Sequence, residues 1–509
     1  MAVVPSTIHG ADHRVGHLLR GVAGFPPAAE RRKFRVVIVG GGVAGLSAAW
    51  WLSRNGFDDY ILVELERAVG GTAQSGANEI SPFPWGAHYV PVPGPGAHYV
   101  RLFFEDIGAI TGYDGAGEPI LAEGVVCGAP ESRLFIHGLW QEGVVPRTAL
   151  TPADEGDSAA FFGALKRFQG AVGADGRPAF TIPARLSSID PAFRRFDQLT
   201  FAALLDSWKI RSPVLRWYID YCFRDDFGAP SERISAWAGL HYFCARAEGR
   251  SGAEGRLMTW PEGNGFLVRE LRQRLRGTVE TGALVTELVP RETGVAIEVM
   301  KPSEDRRFGI EAELVIYAAP RFTVPYVLRT GLETAWAAEA RAIEYAPWAV
   351  ANISLSPPWY GEEPQFAWDN VYYRGKTIGY VVATHQSLAR GTGATVLTMY
   401  WPLDDTEPEL ARRVALERSA DEWSALFLEE LLRFEPELAP RVERVDVWVW
   451  GHGMAIPTPG LLDRWARDRA PHPRIVCANA DRTGFGLFEE AQYWGIEAAR
   501  EVLARTEGA

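Results

Sequence analysis

The chain has 509 residues, 47% of them hydrophobic and 23% charged, with a formal net charge of −12. That length exceeds what one hydrophobic core supports, so two structural domains are expected in a protein of ordinary globular composition. The negative balance argues against nucleic acid or an anionic membrane as partner and leaves a small molecule as the expected ligand.

Cys127, Cys222, Cys244 and Cys477 are scattered, with no CxxC pair, and the ten histidines show no metal-ligand spacing. The pattern excludes a disulfide scaffold, gives no metal site and fits a reducing, cytoplasmic compartment.

Residues 1–34 read as a polar N-terminal arm. Arg31-Arg32-Lys33 superficially suggests a twin-arginine export signal, yet no separate apolar region follows before the next strand. The longest apolar stretch, Val36 to Leu52, is interrupted by glycines, so no transmembrane helix is expected.

That stretch carries the most informative pattern in the chain. Val36–Val39 is a short β-branched run, Gly40, Gly42 and Gly45 fall in GxGxxG spacing, and a helix pattern follows. Gly40 permits the tight turn, Gly42 lets the backbone approach a pyrophosphate, and Gly45 lets helix and strand pack closely. Val43 and Ala44 then open a helix whose N–H groups face phosphate. Ile61–Val63 forms the second strand and ends at Glu64, 24 residues after Gly40. A carboxylate there accepts from ribose hydroxyls, as in FAD or NAD, and disfavours a 2′-phosphate.

Further along, Glu262–Pro320 reads as a glycine-bearing helix start, two alternating strands (283–289 and 295–300) and a buried strand ended by proline. Residues 474–503 give a strand, a glycine-bearing turn and a long amphipathic helix. The intervening segments are rich in aromatics: Trp217, Tyr218, Tyr221, Trp237 and Tyr242 in one, and Trp348, Trp359, Tyr360, Trp368, Tyr372, Tyr373, Tyr400 and Trp401 in the other. As a group they suggest an apolar, aromatic-walled pocket between domains. The expected fold is α/β: a Rossmann-type FAD-binding domain (35–112, 259–320 and 446–509) with a discontinuous α+β substrate-binding domain (113–258 and 321–445).

Taken in order, these blocks resemble the flavin-containing amine oxidase superfamily, which includes protoporphyrinogen oxidases and phytoene-desaturase-like enzymes. Glu64-Leu65 is followed by Gly70-Gly71, Trp85-Gly86-Ala87-His88-Tyr89-Val90 resembles the glycine-rich strand before the flavin ring, and Gly263–Leu267 resembles the start of the second block. Val285 stands where a family valine meets the adenine, and Ala319-Pro320 resembles the end of the strand beside the nucleotide. Cys477-Ala478-Asn479-Ala480-Asp481 resembles the C-terminal signature, with Asp481 at the acid that holds the ribityl chain. Phe488 lies at the helix start that faces the flavin pyrimidine.

The resemblance implies noncovalent FAD. Two departures bear on activity: Thr72 replaces the arginine that commonly follows the glycine pair, and the strand 346–353 lacks the lysine that amine oxidases often place near flavin N5.

The expected reaction is hydride transfer from an amine or polyamine to the flavin, with O₂ as acceptor. Two alternatives stay open: a desaturase or dehydrogenase acting on an apolar C–C bond, with a quinone or other acceptor, and a non-catalytic flavin-binding protein. His88 and His452 are the candidate acid–base residues, and His385 a weaker one. Trp237, Tyr242, Trp348, Trp368 and Tyr372 are candidate substrate contacts, and Asp225, Asp226, Glu262 and Asp369 are acids that could meet a cationic group. The oligomeric state is left open.

Overall fold

The computed structural model describes residues 4–21, 28–148, 150–246, 256–328, 333–357, 366–386, 393–468 and 470–507. Trp359 and Tyr360 therefore lie outside the described residues. The chain divides into two compact units, one of 1–10, 75–264 and 345–461, the other of 11–74, 265–344 and 462–509. These contact-defined limits differ from the sequence-drawn ones, notably in grouping 75–112 with the aromatic-rich segments.

In the second of these units a sheet runs in the order 278–280, 60–63, 31–39, 306–317, 295–301, 284–290. The four strands 278–280, 60–63, 31–39 and 306–317 are mutually parallel, and Ile475–Cys477 adds a further parallel strand beside Val315–Tyr317. Val36–Val39 and Tyr60–Val63 are buried along their whole length, as strands covered on both faces require. Arg31 and Arg32 open the first strand and are held by ion pairs to Glu298 and Glu280 at 2.6 and 3.1 Å. The Arg-Arg pair thus belongs to the sheet.

The helices Val43–Arg54 and Phe488–Glu507 cross closely, for a Cβ on Gly495 would lie 2.1 Å from the Ala44 carbonyl oxygen.

The other unit is built on an eight-stranded sheet ordered 6–10, 442–455, 345–355, 395–402, 380–382, 369–372, 132–136, 139–142. Side chains alternate across it. Ala349, Ala351, Ile353, Leu397 and Met399 face a core shared with Trp423 and Phe427. From the same strands Asn352, Tyr400 and Trp450 reach the backbone of 84–86.

The first described strand, Ser6–Gly10, lies parallel to 442–455 at one edge, so the N-terminal arm is partly built into this sheet.

A buried polar network crosses the same sheet. Glu435 accepts from the Tyr372 and Tyr380 hydroxyls at 2.6 and 2.8 Å and pairs with Arg133 at 3.7 Å. The Arg133 guanidinium lies 3.7 Å from the Trp140 ring centroid. Glu435→Ala leaves a buried guanidinium without its counter-ion and two hydroxyls without their acceptor, and should cost about 3 kcal/mol in denaturant unfolding. Glu435→Gln, which keeps an acceptor, should cost less.

Candidate cofactor and substrate sites

The glycine turn has the geometry its spacing predicts. Gly40 adopts φ +99°, and a Cβ there would stand 2.8 Å from the Ala319 amide nitrogen. At Gly45 a Cβ would meet the Gly40 carbonyl oxygen at 1.9 Å. Gly42 is different: its nearest neighbour would be Gly71 Cα at 3.9 Å, so open space lies where backbone must approach a ligand.

The second glycine pair lies directly alongside. Gly70 donates its N–H to the Gly41 carbonyl at 2.8 Å, and Gly42 and Gly70 form a parallel bridge. Thr72 follows in the short helical turn Gly71–Ala73.

Glu64 closes this site from the end of its strand. It accepts from the amides of Gly41 at 2.5 Å and Glu66 at 2.8 Å, and Leu65 follows it into the loop. Burial pushes its carboxyl up, opposed by those amide donors. Val285 is buried in the strand Leu284–Pro290 of the same sheet. Beyond the central strand, Asp481 accepts from the Arg321 amide at 2.8 Å and Asn479 donates to the Ala319 carbonyl. Phe488 begins the long C-terminal helix.

Whether these residues fit a dinucleotide can be judged from polar atoms left over. Ser47 Oγ, Gln74 Nε2, Asn479 Oδ1 and both polar atoms of Gln492 are buried without a protein partner. Such atoms are costly unless something pairs with them. They lie on the glycine-turn helix, after the second glycine pair, in the C-terminal signature and on the last helix. With the open space at Gly42, they fit a polar, many-atom ligand such as FAD.

In the other unit the segment 84–89 is held by one side of its backbone. Its carbonyls accept in turn from Asn352, Trp450, Tyr400, the Asn264 amide, Thr259 and the Asn264 side chain, all within 3.2 Å. Among the described residues no protein acceptor meets the amides of Gly86 and Ala87. Both residues are part-exposed, so this edge is available to a ligand.

Next to it stands an aromatic and acidic group. The His88 ring stacks on Tyr400 with centroids 4.6 Å apart and lies 5.4 Å from Trp368, while Tyr89 meets Trp368 edge-on at 6.1 Å. Asp226 is paired by Arg246 at 2.9 Å, with the Tyr89 hydroxyl at 3.5 Å. Asp369 accepts from Tyr221 at 3.2 Å.

Asp225 lies within electrostatic reach of Asp226, Asp369 and Arg246, and among the described residues it has no direct hydrogen-bond donor or ion-pair partner. Burial and then its neighbouring carboxylates hold it well above the usual range. Burial takes Asp369 to about 7 and lowers His88 to about 4, so His88 is uncharged near neutral pH. Asp225 and Asp369 nevertheless keep some accessible surface.

Of the expected substrate contacts, the structure brings Trp368 into this group, and Tyr242 borders it beneath the Arg246 guanidinium at 5.0 Å. Trp237 instead lies in a helical core against Phe180 and His241. Tyr372 stacks on Phe434 behind the sheet, and Trp348 is buried beside Gly228 and Gly453. Tyr372 thereby joins the core behind the sheet. The His452 ring meets Tyr345 at 5.6 Å, and His385 is buried beside Gln386.

Asp225, Asp226 and Asp369 converge. Arg246, Tyr89 and Asn264 were not anticipated. The adjacent acids on the helix Pro213–Phe227 were the available signal for a buried cationic partner.

A strand, glycine turn, helix and acid-ended strand in a parallel sheet, with unpartnered polar atoms around them, define a dinucleotide-dependent α/β enzyme. Comparison with known proteins agrees. Residues 38–106 match the NAD(P)-binding Rossmann-like domain, and residues 133–503 match the flavin containing amine oxidoreductase family. The chain belongs to that family, and so to the FAD-dependent oxidoreductases of amine-oxidase type.

Similar solved structures include a putrescine oxidase bound to putrescine (TM-score 0.67, 16% identity, 93% of this chain and 100% of that one). A cyclohexylamine oxidase from Brevibacterium oxydans IH-35A gives TM-score 0.66 at 15% identity over 94% of this chain and 100% of that one. A fatty acid isomerase from P. acnes gives 0.64 at 16% over 91% and 97%. At these identities the likeness is one of fold. A curated tryptophan 2-monooxygenase from Allorhizobium ampelinum is 40% identical over 60 residues, 12% of this chain and 8% of that relative's length. Among the described residues no helix is long and apolar enough to cross a membrane.

Proposed function

We propose that the protein is an amine oxidase that takes an amine or polyamine as substrate and O₂ as electron acceptor. The observation that carries this reading is the group of His88, Tyr89, Trp368 and Tyr400 rings beside the carboxylates of Asp225 and Asp369. Aromatic faces attract an ammonium by about 0.5–2 kcal/mol, and nearby carboxylates neutralise it. A cationic amine would ionise and pair those acids, whereas an apolar substrate would leave the Asp225 carboxyl with no hydrogen-bond partner among the described residues.

In this reading FAD is held noncovalently by Gly40, Gly42, Val43, Ala44, Gly45, Glu64, Leu65, Gly70, Gly71, Thr72, Gly86, Ala87, Val285, Ala319, Asp481 and Phe488. Bound there, it supplies the hydride acceptor. The chain's own residues do the rest. Asp225 and Asp369 receive the cation, the rings exclude water and orient the amine, and uncharged His88, whose ring N–H is engaged by the Gly86 carbonyl, leaves its other nitrogen to accept a hydrogen bond. His452, whose ring is set against Tyr345, stays a second candidate for acid–base work. Residues 35–112, 259–320 and 446–509 would serve the cofactor and 113–258 and 321–445 the substrate. The four buried free cysteines support a reducing, cytoplasmic location.

The absence of lysine from the strand Tyr345–Leu355 favours a second reading, oxidation of an apolar C–C bond with a quinone acceptor. Steady-state assay against alkylamines, diamines and apolar alkenes separates the two. The first reading requires aldehyde, ammonia and hydrogen peroxide from an amine in air. Turnover of an alkene alone, supported only by a quinone, would replace it with the second.

A further inference from the structure

Trp85 immediately precedes the Gly86–Ala87 edge, and three neighbours fix its ring. The His9 ring lies 5.0 Å away, Trp448 lies 5.3 Å away, and Phe83 meets it edge-on at 5.1 Å. Gly76 gives it room, for a Cβ there would stand 2.7 Å from Trp85 Nε1. The Trp85 carbonyl is held by Trp450 at 2.7 Å.

His9 comes from the N-terminal strand and is itself anchored. Its ring lies nearly parallel to that of Trp448, with 9° between planes and 6.4 Å between centroids. Its Nε2 lies 3.7 Å from Asp446, a buried carboxylate that also takes Thr7 and Arg444. The strand is fastened further by the Pro5 carbonyl accepting from Val445 at 3.0 Å and by Ser6 donating to Asp421 at 2.6 Å. His9 keeps 43% of its side chain exposed, so it covers Trp85 and Trp448 from the solvent side.

We propose that His9 is a positioning residue for the cofactor site, bracing Trp85 so that the amides of Gly86 and Ala87 present a fixed edge to the flavin. The N-terminal strand is then a working part of that site. The proposal rests on the reading that Gly86 and Ala87 meet FAD.

The physical reason lies in the asymmetry of the 84–89 segment. Its carbonyls are tied down on one side, so the direction of its free edge depends on how the flanking Trp85 ring is seated. Loss of the His9 ring removes one aromatic contact of three and opens a gap beside Trp85 that water can enter. Such a contact is worth about 0.5–1.5 kcal/mol, or up to about tenfold in an affinity that depends on it.

The test uses the full-length holoprotein and the variants His9→Ala, His9→Phe and Ser6→Ala. FAD affinity is measured by titrating the stripped protein, and the bound flavin's visible absorbance and fluorescence are recorded beside thermal unfolding of the flavin-free protein. His9→Ala should weaken FAD binding about five- to tenfold and shift the bound-flavin spectrum. His9→Phe, which keeps a ring over Trp85 without the Asp446 pairing, should restore both. Ser6→Ala, which loosens the strand alone, should leave the spectrum unchanged.

An unaltered spectrum and affinity in His9→Ala would overturn the proposal. So would a change that Ser6→Ala reproduces, or one that His9→Phe fails to correct. If the parent protein binds no flavin, the cofactor reading itself fails, which the variants alone would not reveal.

Discussion

Replacing Gly45 with alanine should prevent formation of a folded flavoprotein, whereas replacing Gly42 with valine should give a folded protein with no flavin. The two glycines stand three residues apart in one motif, yet they answer to different constraints. At Gly45 the added carbon would lie 1.9 Å from the Gly40 carbonyl oxygen and 3.1 Å from its carbon, both backbone atoms of a turn that cannot retreat. Gly40 is itself committed to φ +99° against Ala319. The helix must therefore move off the turn, opening the packing that Gly45 allows.

At Gly42 the backbone is extended (φ −69°, ψ −178°), a conformation any residue adopts, and the nearest atom to a Cβ is 3.9 Å away. A valine there costs the fold little and fills the space left for the pyrophosphate. Its FAD affinity should fall about a hundredfold or more, equivalent to about 3 kcal/mol. Circular dichroism and flavin absorbance of the two purified variants check the pair. A yellow Gly42→Val protein would place the pyrophosphate elsewhere.

The double variant Asp225→Asn/Asp369→Asn should lower kcat/KM for an amine about a thousandfold, about 4 kcal/mol of lost stabilisation, while FAD stays bound. Both carboxylates are needed as anions, and burial works against that. Asp369 sits at about 7, so below that pH the amine meets an uncharged acid and above it a carboxylate. Amine affinity should accordingly rise as pH increases through 7, and the single variant Asp369→Asn should flatten that part of the profile.

Stability runs the other way. The native state holds the Asp369 proton more tightly than the unfolded chain, whose carboxyl titrates near 4, so ligand-free protein loses stability as pH climbs from about 4 through 7. Asp226 should contribute less to amine binding, because Arg246 already neutralises it. An amine that binds equally well to the double variant would remove the acids from substrate recognition.

The nucleotide-binding half was largely legible in the sequence, because its constraints are local. GxGxxG spacing, a β-branched run and an acid at the right distance state the turn, the buried strand and the acid that ends the second strand within thirty residues. The structure places Gly41 in direct contact with both Glu64 and Gly70.

The substrate side was less legible. Its residues come from a helix at 213–227, a strand starting at 369, another at 395–402 and the segment 84–89, and no period in the chain states that they meet. Aromatic content flagged Trp237, Tyr372 and Trp368 alike. Only the sheet's pairing separates Trp368, beside His88, from Tyr372, behind the sheet with Glu435. The N-terminal arm was opaque for the same reason: five residues, Ser6–Gly10, become a strand only because 442–455 offers an unpaired edge far away in sequence.

The most direct test of an amine-oxidising flavoenzyme is anaerobic mixing of the purified holoprotein with amines and with apolar alkenes, followed by admission of air, while the flavin's visible band is recorded. The account predicts that an amine bleaches the band and that air restores it within the time of a turnover. A band that no amine bleaches, while an apolar donor does, would contradict it.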